Sequence, residues 1–217
     1  MNKKDVLSST FGWLFLGLLI CFGVSYITTY NSAAMQLVYG SLGGYGYVVF
    51  AVLELVAVFV LSIFIRKLPP LVAKIIYILY TALTGLTFSG IFIVYTSASI
   101  AYVFLATSIL FGVFAIIGKT TDIDLSKWSI YLFVALIAIV ILEIINIFLM
   151  NNTLHMVLCI VGILIFCAYT AYDIQIAINN SYLEGVENKG IYCALQLFID
   201  FINIFLDLLR LFGKTRD

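Results

Sequence analysis

Seven apolar stretches, at about 11–29, 46–65, 71–94, 99–118, 128–150, 154–178 and 191–212, govern what this chain can fold into. Each is near the roughly 20 residues that an α-helix needs to cross about 30 Å of hydrocarbon at 1.5 Å per residue. The runs are continuous rather than alternating, and most are about twice the length of a barrel strand, so they predict helices and not a β-barrel. The expected fold is therefore an all-α integral membrane protein with seven transmembrane helices. Seven spans take about 140 residues of the 217. The six connections and two tails are too short to hold a further domain. The chain reads as one seven-helix domain over 1–217, with any chemistry in the membrane or at its edge.

Composition excludes the alternatives. Residues of the AVILMFWYC set make up 64% and charged residues 10%, against about 45–50% and 25% in soluble domains. Mean hydropathy is +1.18. A soluble chain of this length has too little interior to hide that much apolar surface. Zero net charge with no basic patch excludes nucleic acid as a partner; the expected partner is the lipid bilayer. Pro69 and Pro70 fall in a connection. The least marked boundary lies within Leu71 to Gly118, a single run broken only by Thr96, Ser97 and Ser99, and the third and fourth spans are divided there. Lys3 and Lys4 precede the first run, but that run is long for a signal-peptide core and reads as a span.

Orientation follows from Lys and Arg. With the N-terminus inside, Lys3, Lys4, Arg66, Lys67, Lys74, Lys119, Lys127 and Lys189 are inside, eight of the eleven basic residues. Arg210, Lys214 and Arg216 follow the seventh span. Either that span crosses fully and leaves them outside, against the rule, or it is re-entrant and returns inside.

Cys21, Cys159, Cys167 and Cys193 all lie in apolar spans without C-x-x-C spacing and read as small buried hydrophobes. One histidine, His155, is not expected to build a metal cluster with them. Asn151-Asn152-Thr153 and Asn179-Asn180-Ser181 match the glycosylation pattern, but lie too close to the membrane, or on the inside, to serve it.

The chemistry points to the acids. Five of eleven, Glu54, Glu143, Asp173, Asp200 and Asp207, fall within spans, and no Lys or Arg lies mid-span. A carboxylate at the bilayer centre costs about 3 kcal/mol or more, so such groups face the bundle interior, share protons, or meet water and cations. Span seven arranges Cys193, Gln196, Asp200, Asn203, Asp207 and Arg210 at 3-4-3-4-3 spacing, within an arc of about 100°. A helix with this polar seam belongs near the centre of the bundle. Asp173 lies on one face of span six with Gly162, Phe166 and Tyr169. Spans joined by a short loop are usually neighbours, but counting from the loop leaves Asp173 and Asp200 offset by about 6 Å. A two-carboxylate pair is plausible on this spacing and not forced by it. Brought together in low dielectric, the two could not both ionise cheaply and would titrate as a coupled unit. The same oxygens could contact Ca²⁺.

At these residues the sequence resembles the Bax inhibitor-1 (transmembrane Bax-inhibitor-motif) family. Ala171-Tyr172-Asp173 resembles its Y-D element, and the run from Leu195 to Gly213, LQLFIDFINIFLDLLRLFG, resembles its C-terminal motif. The resemblance implies a central seventh helix wrapped by two three-helix groups. It implies a pH-sensitive calcium leak, with calcium as the permeant ion, protons as the signal and no tightly bound cofactor. It implies that Asp173 and Asp200 form the sensor, latched by an arginine at the inner end of span two. Arg66 is the best match, with Lys67 as the alternative. Gln196, Asn203, Asp207, Glu54 and Glu143 are the expected polar seam or pore. Nothing in the sequence points to an apoptotic role.

Two rival readings stand beside this one. An intramembrane aspartyl protease also places two aspartates on successive helices. However, Asp200 follows Leu197-Phe198-Ile199 where those enzymes have Gly-x-Gly, their Pro-Ala-Leu motif is absent, and the chain is not expected to be an enzyme. A retinal protein is excluded because span seven has no lysine within it, and Ser89 lacks the glycine two residues before it that a serine protease carries. The other rival is a non-transporting modulator of a membrane protease or other membrane-protein partner. The expected location is a bacterial plasma membrane, with an endomembrane as the alternative.

Overall fold

A computed structural model of the chain describes residues 3–40, 45–179 and 183–216. Its helices are α1 (Lys3–Tyr30), α2 (Ser32–Met35), α3 (Gly46–Phe64), α4 (Pro70–Val94), α5 (Ser97–Thr120), α6 (Ser129–Leu149), α7 (Asn152–Ile178) and α8 (Lys189–Phe212). All except α2 are long and apolar enough to cross a membrane, giving the seven spans. Their ends agree closely with the apolar runs; the largest difference is α1, whose helix begins at Lys3 rather than near Phe11.

Local chemistry sets these ends. Pro70 occupies the first turn of α4, where its missing N–H costs nothing. The break between α4 and α5 falls at Tyr95 and Thr96, and the Thr96 hydroxyl accepts from Ser99 N at 3.3 Å. Between α6 and α7, Met150 turns the chain with a left-handed backbone (φ 49°), and Asn151 Oδ1 accepts from Leu154 N at 3.0 Å to start α7. Asp124 starts the turn before α6. The Ser126 hydroxyl, aided by its backbone N–H, holds the Asp124 carboxyl below the ordinary carboxylate range. Of the two glycosylation matches, Asn180 and Ser181 of the second lie outside the described residues.

Helix α8 packs against α1, α4, α5 and α7, while α3 lies on α4 and α6 on α7. Both faces of α8 are therefore covered over much of their length. Its apolar face carries the aromatic core: Phe198 meets Tyr77 and Tyr80, Phe201 meets Phe104 and Phe111, and Phe205 meets Phe22, Phe88 and Phe104. Side-chain hydroxyls tie α1 to α4: Ser25 Oγ donates to Gly85 O at 2.8 Å and Tyr77 OH to Trp13 O at 2.9 Å. Such bonds are an effective adhesive where apolar burial alone cannot distinguish helix from lipid. Helices α5 and α7 approach closely because a Cβ at Gly118 would collide with the Ala171 backbone.

The two ends of the bundle are distinct. At the inner end, Asn188 Nδ2 donates to Ile65 O at 2.7 Å and Leu68 O at 2.9 Å, joining the start of α8 to the α3–α4 connection. Leu183 and Val186 of the α7–α8 connection are buried, and Leu183 packs with Val6, Ile176, Ala177 and Cys193. At the other end, the residues after α8 lie along the α4–α5 connection. Thr96 N donates to Lys214 O at 3.0 Å, Arg216 N to Val94 O at 2.8 Å, and Lys214 N to Ser99 Oγ at 2.8 Å. Helix α8 thus runs from one end of the bundle to the other without turning back, and Arg210, Lys214 and Arg216 lie at the end opposite Arg66 and Lys119.

Candidate functional site

The polar seam of α8 divides into two edges. Cys193, Asp200 and Asp207 are buried, whereas Gln196 and Asn203 are half-buried and Arg210 is exposed. Asn203 Nδ2 turns back to its own helix, donating to Ile199 O at 2.8 Å. Gln196 lies beside Tyr192, one turn earlier.

On the buried edge, the structure brings Asp200 to Asp173 of α7. Their carboxyls stand within hydrogen-bonding reach of each other, and the Thr170 hydroxyl is beside Asp200. Asp173 is 9% exposed and Asp200 3%. Asp200 Oδ2 has no hydrogen-bond partner among the described residues, an arrangement that is costly in a low-dielectric interior. The offset counted from sequence is closed in the structure, and Leu183 and Val186, just before α8, are buried. Thr170 escaped the sequence reading, although its i, i+3 relation to Asp173 on one helix face was available.

Arg66 lies in a 3-10 turn at the inner end of α3. Its guanidinium sits over the Tyr192 ring, 5.2 Å from the centroid. Tyr192 is two turns before Asp200, about 12 Å along the helix. Arg66 and Lys67, the alternative latch, are both exposed.

The remaining acids form two separate groups. Glu54 of α3 is hydrogen-bonded to Thr87 Oγ1 of α4. Glu54 therefore belongs to the α3–α4 contact and not to the α8 seam. Asp207 pairs with Arg210 at 3.1 Å and lies against Gly162, where a Cβ would collide with its carboxylate. Near it, Glu143 Oε2 of α6 is 3.7 Å from His155 Nδ1 of α7. Cys159 Sγ is 3.9 Å from His155 Nε2. His155 and one cysteine are thus neighbours. The i, i+4 spacing on one helix was the signal for it.

Residues 3–217 match the family described as "Inhibitor of apoptosis-promoting Bax1". The chain is 38% identical over 219 aligned residues to "Inner membrane protein YbhL" of Escherichia coli strain K12, covering 98% of this chain and 93% of that protein. An uncharacterised protein of Deinococcus radiodurans is 34% identical, covering 99% and 92% respectively. An uncharacterised membrane protein of Streptococcus pyogenes serotype M1 is 35% identical over 76% of this chain and 73% of that protein. These relatives and the seven apolar helices identify a multi-pass bacterial cell-membrane protein.

Proposed function

The chain belongs to the Bax inhibitor-1 family, and on that premise we propose that it is a pH-sensitive calcium leak channel gated by the Asp173–Asp200 pair. The observation that carries this reading is the juxtaposition of two buried carboxyls from neighbouring spans. Such a pair changes charge with pH as a unit and presents hard oxygens to a cation. Two carboxyls supply at most four oxygens, short of the six to eight that Ca²⁺ takes in a tight site. That suits a contact in transit rather than storage. The buried inner plug of Leu183 and Val186, held beside Asn188, supports a closed state in which the pair is shielded from the inner solution. The half-buried Gln196 and Asn203 offer polar steps along α8.

Purified protein in liposomes should pass Ca²⁺ slowly but faster than protein-free liposomes. No flux at any pH between about 5 and 8 would overturn the channel reading and favour a non-transporting modulator of a membrane partner.

A further inference from the structure

We propose that Glu143, His155 and Cys159 form a transition-metal site, of the kind that takes Zn²⁺, at the end of the bundle opposite Arg66. One ligand atom from each of the three lies within 4.8 Å of the others. The donors come from two spans. His155 and Cys159 are i, i+4 on α7 and share a face, and Glu143 reaches them from α6, which packs on α7. The three are within about 10 Å of the outer helix ends, at 1.5 Å per residue, a depth a hydrated ion reaches from the outer solution.

The Glu143–His155 separation leaves room for a shared ion. Glu143 to His155 at 3.7 Å is longer than an N–H···O hydrogen bond, which runs about 2.7–3.2 Å. Zinc bonds of about 2.0–2.3 Å in tetrahedral geometry hold neighbouring donors about 3.3–3.7 Å apart. The observed spacings reach His155 through different ring nitrogens, Nδ1 to Glu143 at 3.7 Å and Nε2 to Cys159 at 3.9 Å; a shared ion takes one of them, and side-chain rotation draws in the remaining donor from within the 4.8 Å span of the group. One imidazole nitrogen, one carboxylate and one thiolate suit zinc and its neighbours. Three protein ligands leave a fourth position open. Binding would release the Cys159 thiol proton to solvent.

Charge also balances. A divalent ion with one carboxylate and one thiolate is neutral, and the adjacent Asp207–Arg210 pair at 3.1 Å is itself neutral. Both members of that pair lie close to Cys159. Glu143 is otherwise an intramembrane acid on a peripheral helix with a third of its side chain exposed, which needs a charge partner. This inference is independent of the calcium reading.

The test is equilibrium binding of Zn²⁺ and of Co²⁺ to tag-free protein in lipid nanodiscs. One ion per chain should bind saturably, and the Co²⁺ form should show a thiolate-to-cobalt charge-transfer band. Cys159→Ser should abolish that band and His155→Ala should weaken binding at least about tenfold. Cys167→Ser should leave both readouts unchanged. Glu143→Gln, at a half-exposed position, tests the same site without disturbing the core and should also weaken binding at least about tenfold. Helical content measured without metal separates misfolding from ligand loss. Absence of saturable binding, or a Cys159→Ser protein that binds and absorbs like the parent, would overturn the site and leave Glu143 and His155 as a simple ion pair.

Discussion

Asp173 of α7 and Asp200 of α8 meet within hydrogen-bonding reach, and Leu183 and Val186, just before α8, are buried at the same end of the bundle.

The plug should be open to weakening at a single residue. Asn188→Ala removes both side-chain bonds to Ile65 O and Leu68 O, at a cost of about 1–3 kcal/mol. The expected outcome is a lower thermal midpoint in detergent and a faster Ca²⁺ leak in liposomes. A lower midpoint with an unchanged leak would mean that the plug stabilises the fold without closing it.

The close passage of α5 over α7 predicts a steric effect. Gly118→Val places a branched side chain where even a Cβ meets the Ala171 backbone. Overpacking of this kind costs about 1–3 kcal/mol, read as a fall in thermal midpoint. Gly112→Ala on the same helix, where a Cβ meets nothing within 4 Å, should be close to neutral.

Fold and site were legible to different degrees. Spans were readable because a membrane helix must be apolar for its full length, which α3 and α6 show over nearly every residue. The weak α4–α5 break was readable from Thr96, whose hydroxyl caps the next helix. The extensive burial of α8 agrees with the expectation drawn from its polar seam. Pairings were less visible. The Asp173–Asp200 contact depends on how far the two helices slide past each other, which spacing along each helix does not encode. Grouping Glu54 with the seam reflected a shared residue type; its partner Thr87 lies on a different helix pair. Cys159 read as a small hydrophobe because its neighbour Glu143 comes from another span.

That separation of Glu54 makes a prediction of its own. Glu54→Gln keeps a hydrogen-bond acceptor for Thr87 and should leave the pH profile of Ca²⁺ flux unchanged. Loss of pH dependence in this variant would return Glu54 to the pore.

The α8 seam should be sensitive where it is polar. Asp200→Leu and Asn203→Leu should each change flux. Phe201→Leu, on the aromatic face against Phe104 and Phe111, should lower the thermal midpoint, since it removes buried aromatic packing, and leave flux per folded protein unchanged. Equal effects of all three on flux would mean that the seam serves packing alone.

The most direct measurement is Ca²⁺ flux between about pH 5 and 8 for the parent, Asp173→Asn and Asp200→Asn proteins in liposomes. Asn keeps the shape and a hydrogen bond but cannot ionise. Flux of the parent should vary with pH, and either substitution should flatten that dependence, because the two carboxyls titrate as one unit. If both variants kept the parent's pH profile while His155→Ala lost it, the sensor would lie at His155 and the account of the aspartate pair would be wrong.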